Sequence, residues 1–314
     1  MSSEQTLQPI KFSMTSQAGS GQLWADLYRP AAEPAFSLLI VHGMAEHRAR
    51  YRDFASWMAE QGGLVLVYDQ AGHGESAATP EDLGFFAERD GDSLVLQDLD
   101  QMCRHLISLE PGLPRVLFGH SMGSLIVRDY LRGEVPTIHG VILTGTSGPS
   151  SALPLGRFLA QLFYRLQGPR SRPMLLDKLL HAGFLSRVHA PVTEFDWISR
   201  DPAVVADYLQ DTYCGYRFTT SALLDLMAWT DRVSQPGWAS SIPADLPILL
   251  ASGTADPVGQ YGQGVAWVEQ HLLKAGRLVE TRLYLQSRHE ILNETNRQDV
   301  FRDLYEWIRQ TVIE

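Results

Sequence analysis

Period-two alternation opens the chain. Ile10, Phe12 and Met14 interleave with Lys11, Ser13 and Thr15, and after Ala18-Gly19-Ser20-Gly21 the pattern resumes through Leu23-Trp24-Ala25-Asp26-Leu27-Tyr28. Two such runs about a glycine-rich turn predict a β-hairpin. The pattern then changes: Phe36-Ser37-Leu38-Leu39-Ile40-Val41 is an apolar run ending in His42-Gly43, as a strand covered on both faces requires, which places it centrally in a parallel sheet. Residues 51–61 have helical spacing (Phe54, Trp57, Met58) and stop at Gly62-Gly63, before a second buried strand over 64–68. A helix is expected over 92–109, with Leu96, Leu99, Met102, Cys103, Leu106 and Leu109 on one face and Pro111-Gly112 beyond its end. The strand Val116-Leu117-Phe118 follows, then a helix from Ser124, then a core strand over 141–144.

Strand-type runs then cease for about 90 residues. Amphipathic helices are expected instead over 153–166, 174–181, 202–209 and 219–230, after which a strand (247–252), a helix (265–273), a strand (281–285) and a closing helix (297–312) restore the alternation. The order βαβα, helical insertion, βαβα predicts an α/β fold: a mostly parallel central sheet flanked by helices, with an inserted helical cap. Each α/β piece holds half a sheet, so residues 1–146 and 244–314 are expected to form one core and 147–243 the cap. Ligands bind at the C-terminal edge of open parallel sheets, which makes the insertion a candidate lid.

One stretch carries chemistry by its setting. Gly119-His120-Ser121-Met122-Gly123 is a G-x-S-x-G between a strand and a helix, where a serine is held on a sharp turn and glycines let neighbouring backbone close in. The helix N-terminus behind it favours developing negative charge. A serine hydroxyl needs a base and a group to orient that base. His289 follows the last strand, and Asp256, in Gly253-Thr254-Ala255-Asp256-Pro257, follows the strand before it; Ser121, Asp256 and His289 thus each follow a strand end, in a known catalytic order. Asp225, Asp231 and Asp245 are rivals for the acid only if the insertion folds differently. Two backbone N–H groups are needed for a developing oxyanion; Met122, next to the serine, and Met44, in the turn His42-Gly43-Met44, are the candidates. His42 and His47 read as loop braces, His120 as facing the sheet, and Asp69-Gln70-Ala71-Gly72-His73-Gly74-Glu75-Ser76 as a tight turn, since no Gly-Lys-Ser/Thr follows its glycines.

Composition narrows the partners. The chain has 314 residues, 45% of them hydrophobic, and a net charge of −10 without a Lys/Arg cluster suited to nucleic acid. Arg165, Arg170 and Arg172 read as a solvated helix end. Cys103 and Cys214 form neither a disulfide framework nor a metal-site spacing, and no two histidines are spaced as ligands, so no metal and no cofactor is expected. No apolar run reaches 18 residues, and Met1-Ser2-Ser3-Glu4-Gln5 lacks a signal-peptide pattern, so a cytoplasmic protein is expected.

His42-Gly43-Met44-Ala45-Glu46-His47, the 69–76 turn, the 119–123 elbow and the Asp256/His289 pair resemble the monoacylglycerol lipase and lysophospholipase-like branch of the α/β-hydrolase superfamily, sometimes grouped with serine aminopeptidases. Ser287-Arg288-His289-Glu290-Ile291-Leu292-Asn293-Glu294 is similar to the bacterial members. The resemblance implies the α/β-hydrolase fold, Ser121 as nucleophile, Asp256 as acid, His289 as base, and the Met44 and Met122 amides as oxyanion hole. Where the family motif HG-x-G-E-H has glycine this chain has Ala45, and Met44 replaces a small residue, which narrows the space beside the ester. The implied activity is hydrolysis of carboxylic esters, of monoacylglycerol or lysophospholipid type, with a small lipid or ester as the partner. Transient contact with a membrane or micelle surface is the most expected of the cap, and oligomeric state is left open. A short-chain carboxylesterase, a peptidase or an acyltransferase would use the same triad; a catalytically silent ligand binder is the non-enzyme alternative. Phe158, Leu159, Leu162, Trp197 and Trp229 are candidate substrate contacts in the insertion, with packing of the cap onto the core as the competing role.

Overall fold

The computed structural model describes residues 7–18 and 21–314; Gly19-Ser20 of the expected hairpin turn and the Met1–Gln5 stretch lie outside them. Strands β1 (Ile10–Thr15) and β2 (Gln22–Tyr28) form the expected antiparallel pair, from Ile10 opposite Leu27 to Thr15 opposite Gln22. Then come β3 (Phe36–Val41), α1 (Arg52–Glu60), β4 (Gly63–Tyr68), α2 (Gly91–Leu109), β5 (Arg115–His120), α3 (Met122–Tyr130) and β6 (Gly140–Thr144). Four helices follow before the next strand: α4 (Leu153–Gln167), α5 (Met174–Leu180), α6 (Pro202–Gln210) and α7 (Thr220–Arg232). The chain ends with β7 (Ile248–Gly253), α8 (Gln263–Lys274), β8 (Val279–Tyr284) and α9 (Arg297–Ile308). The eight strands make one sheet in the order β1-β2-β4-β3-β5-β6-β7-β8, parallel from β4 through β8.

The apolar runs are the strands with two covered faces. Every residue of β3, β4, β6 and β7 is buried, whereas β8, at the sheet edge, is half-exposed. Side chains alternate across a strand, so Leu39 and Val41 join α2, α3 and α8 in one core, while Leu38 and Ile40 join Phe54 and Met58 of α1 and Phe301, Leu304 and Trp307 of α9 in the other. Burying one such side chain contributes on the order of 2 kcal/mol, and the two cores clamp the sheet from both sides.

Element ends fall within a few residues of expectation, and two of the differences have a structural reason. Helix α3 begins at Met122, not Ser124, because Ser121 itself is the residue before its first turn. Helix α9 ends as an α-helix at Ile308 and closes in a π-helical turn over Arg309–Ile313. The α4–α7 segment is fastened to the α2/α3 side: α4 packs on α7 and α7 on α2, with the Trp229 indole N–H donating to the Asp92 carbonyl at 3.3 Å. Buried Arg128 of α3 ties both ends of this segment, donating to Ser147 O at 2.8 Å and Val233 O at 2.7 Å. No helix among the described residues is long and apolar enough to cross a membrane.

Candidate active site

Ser121 sits at the turn from β5 to α3 with φ +51° and ψ −118°, a conformation L-residues rarely adopt. Close packing holds it there. A β-carbon on Gly119 would lie 2.7 Å from Gly123 O, and one on Gly123 would lie 2.1 Å from Val41 O, so both elbow glycines are demanded by backbone contact. The Ser121 amide donates to Thr144 O at 2.9 Å, which moors the serine to the end of β6.

The loop after β3 arrives on the other side: a β-carbon on Gly43 would stand 3.1 Å from Ser121 Cβ. Two of its amides are committed. Gly43 N donates to Glu46 Oε1, which also accepts from Tyr51 Oη at 2.8 Å, and Ala45 N donates to His73 Nε2 at 3.4 Å. Met44 N and Met122 N have no acceptor among the described residues, so each can meet an incoming anion. Beneath the loop, Gln70 N donates to His42 Nε2 at 3.0 Å, which leaves the proton of this ring on Nδ1, 2.8 Å from Gly43 O. Burial holds His42 well below the usual imidazole range and His73 at about 4, so both brace as neutral rings. The 69–76 turn has a similar part, with Asp69 accepting from Arg48 N at 2.8 Å and Glu75 N at 2.9 Å.

Asp256 and His289 meet beyond the ends of β7 and β8. His289 Nδ1 lies 3.0 Å from Asp256 Oδ1; Asp256 has no exposed surface and His289 4%. Val258 N donates to the same Oδ1 at 2.9 Å, and Ser252 Oγ to Oδ2 at 3.3 Å. Burial draws the His289 pKa down, but the Asp256 charge and hydrogen bond, with Glu290 and Glu46 beyond, outweigh it and leave the ring above its ordinary value. The ring is set over Gly145, directly after Thr144, where a β-carbon would come within 2.8 Å of Cε1. Residues from the ends of β3, β5, β6, β7 and β8 are thus brought to one edge of the sheet, and an imidazole oriented by a carboxylate can serve general-base chemistry.

Residues 32–296 match the family described as serine aminopeptidase, S33. The chain belongs to this family. It is similar to a monoacylglycerol lipase of Mycolicibacterium smegmatis, 25% identical over 292 residues that cover 92% of this chain and 94% of that one. Among solved structures it is similar to a highly thermostable carboxyl esterase from Bacillus coagulans in complex with glycerol, at a TM-score of 0.91 and 29% identity, with 98% and 99% of the two chains covered. A lipase in its open form gives 0.85 and 28% over 97% and 98%. The architecture is the α/β-hydrolase fold.

Around this candidate site the other candidates divide. Trp197, buried, packs its ring 5.2 Å from that of His289, and its carbonyl accepts from His289 N at 3.4 Å. Phe158 and Leu162 lie on the exposed face of α4, and Leu159 packs against the core. Trp229 is a correction: with no exposed surface, between α7 and α2, it packs the insertion down and has nothing to offer a ligand. His120 faces the sheet as expected, its Nδ1 bonded to Thr144 Oγ1 at 3.0 Å, and its ring also lies 4.7 Å from that of His289 at a tilt of 45°. Asp225, the rival acid, faces Gly91 at the start of α2 instead.

Sequence reasoning missed a buried charge network behind the loop. Arg50 pairs with Glu290, whose neighbour is His289, and with Glu46 at 3.6 Å. Burial pushes the Glu46 carboxyl up to about 7, Glu290 adding to the shift and Arg50 opposing it. Arg50 and Glu290 are 240 residues apart in the chain, and only the adjacency of Glu46 to His47 and of Glu290 to His289 hinted at the network. Among the described residues, His47, Asp211 and Cys214 bring ligand atoms within 4.8 Å of one another and could hold a metal ion. As they stand, His47 Nε2 and Asp211 Oδ2 satisfy each other at 2.8 Å, and the Arg50 charge acts on Cys214.

Proposed function

We propose that this protein is a serine hydrolase of carboxylic esters, acting on monoacylglycerol- or lysophospholipid-type lipids through Ser121, His289 and Asp256. The observation that carries the reading is the buried 3.0 Å contact of His289 Nδ1 with Asp256 Oδ1; Ser121, held at φ +51°, follows His120, whose ring lies 4.7 Å from that of His289. Ser121 Oγ attacks the ester carbonyl carbon while His289 Nε2 takes the hydroxyl proton, and the resulting oxyanion is met by the Met44 and Met122 N–H groups. As the tetrahedral centre collapses, the carbon–alkoxide bond breaks and His289 returns the proton to the departing alcohol. Water, deprotonated by the same imidazole, then cleaves the acyl-enzyme and frees Ser121. Asp256 orients the imidazole and stabilises its charged form.

In this reading residues 147–243 form a cap over a core of 1–146 and 244–314. Lipid esters are favoured by the names of the relatives and by the exposed Leu155, Phe158, Leu162 and Leu166 along α4, a face suited to brief contact with a micelle or membrane surface. Trp197 against His289, together with Met44, favours a second reading, a short-chain carboxylesterase. The test is turnover across acyl lengths. Maximal kcat/KM on medium or long monoacylglycerols supports the lipid reading; a maximum at acetyl or butyryl esters supports the second. Ser121→Ala is expected to abolish turnover and labelling by a fluorophosphonate, and undiminished turnover would sink both.

A further inference from the structure

Ala45, in the loop that carries the Met44 amide, adopts φ +51°, a left-handed conformation that a β-carbon disfavours. What holds it comes from elsewhere in the chain. The Ala45 carbonyl oxygen accepts two hydrogen bonds, one from Tyr208 Oη at 3.0 Å and one from Gly215 N at 3.0 Å, and both donors belong to the 147–243 segment. Tyr208 is itself fixed: it lies on α6, buried, with the Arg50 guanidinium 4.9 Å from its ring centre and Phe195 packed on it at 5.0 Å. His47 and Asp211 add a third tie between the same two segments at 2.8 Å.

These bonds bear on the Met44 N–H. The peptide between Ala45 and Glu46 is anchored through its carbonyl by the insertion, while Glu46 Oε1 reaches back to Gly43 N. The φ of Ala45 sets how the preceding peptide leaves that anchor, and so where Met44 points.

We infer that Tyr208 is a positioning residue for the oxyanion site: its hydroxyl, with the Gly215 amide, holds Ala45 left-handed and aims the Met44 N–H, so that stabilisation of the oxyanion depends on the insertion being seated on the core. The inference rests on the serine-esterase reading above. The Tyr208 hydroxyl acts through the loop and needs no contact with substrate, which separates it from a pocket residue. A pocket role would appear in KM and vary with the substrate; a positioning role falls on kcat and is the same for a minimal acetyl ester and a long-chain one.

The experiment measures the Tyr208→Phe effect twice, with Ala and with Gly at position 45, since glycine takes the left-handed conformation without the β-carbon's penalty. With Ala45, Tyr208→Phe is expected to lower kcat about tenfold on both esters with KM little changed, a fraction of what complete loss of an oxyanion donor costs. In the Ala45→Gly background the same substitution should cost less than about threefold. Equal losses in both backgrounds, no loss in either, or a loss confined to KM overturns the inference. Amide exchange of the 42–51 peptide provides a readout without substrate: Tyr208→Phe should speed it with Ala45 in place, and unchanged exchange overturns the inference. If the unmutated protein and Ser121→Ala are equally inert to esters, the esterase reading fails by itself, and the exchange measurement still decides whether Tyr208 holds the loop.

Discussion

At the scale of the residue, the site works by denying alternatives. Gly145 is the clearest case: at φ +56° its missing β-carbon leaves room for the His289 ring, which a methyl group would meet at 2.8 Å. With His289 as the proposed base, Gly145→Ala is therefore expected to lower kcat about a hundredfold by displacing its ring, with the far-UV spectrum and melting cooperativity retained; a loss below threefold would show that the ring has slack. Protonation is argued in the same way. Because the Asp256 charge and hydrogen bond outweigh burial at His289, the imidazole keeps its proton to higher pH than an ordinary histidine. The acid limb of kcat/KM should accordingly have its midpoint above about 6.5, with activity rising as the ring deprotonates. Asp256→Asn leaves burial as the dominant influence, so any remaining activity, lowered about 10³-fold or more, should show its acid limb shifted downwards. The pH profiles of the two proteins check both statements.

At the scale of the element, the contact of α7 with the start of α2 holds a buried carboxyl in poor surroundings. Asp225 Oδ2 has no hydrogen-bond partner among the described residues, and burial, reinforced by Asp92 and Asp90, pushes its pKa to about 7. The folded state thus binds this proton more tightly than the unfolded chain, whose carboxyl has an ordinary pKa near 3.8. The associated stability is fully present below that value and is lost as pH rises through about 7. Asp225→Asn has no proton to lose. Relative to the unmutated protein it should gain roughly 2–3 kcal/mol on going from pH 5 to pH 8, read as a difference in Tm between the two across that range. A constant difference would mean that Asp225 is relaxed by water or by Arg232. The same contact explains why Trp229 is structural: a ring so enclosed fastens α7 to α2.

At the scale of the molecule, the exposed apolar face of α4 separates stability from function. Leu155, Phe158, Leu162 and Leu166 are 59, 62, 42 and 72% exposed, so serine in place of Phe158 and Leu166 should change stability by less than about 1 kcal/mol. If that face meets lipid aggregates, the double variant lowers turnover of a monoacylglycerol above its critical micelle concentration several-fold and leaves a soluble acetyl ester untouched. Equal rates on both substrates would remove the aggregate-contact reading. Residues 147–243 are joined to the rest of the chain at Arg128, at the Ala45 carbonyl and at the His289 and Glu290 amides, which donate to Trp197 O and Ile198 O. Two of the loops around the candidate site, and helix α3, are therefore in contact with that segment.

The sheet was legible because a strand buried on both faces must be apolar throughout, and Phe36–Val41, Gly63–Tyr68 and Gly140–Thr144 leave little else for such runs to be. The elbow was legible for a related reason: Gly119 and Gly123 occupy places where backbone leaves no room for a β-carbon, and Ser121, Asp256 and His289 each follow a strand end. Chain order and local geometry suffice for those. Contacts between distant segments are different, because hydrogen bonding and charge pairing depend on position in space and leave no period in the chain. That Arg50 joins Glu46 to Glu290, that Tyr208 holds Ala45, that His120 lies against His289 and that Trp229 of α7 is sealed against α2 were decided only when distant segments of the chain packed together.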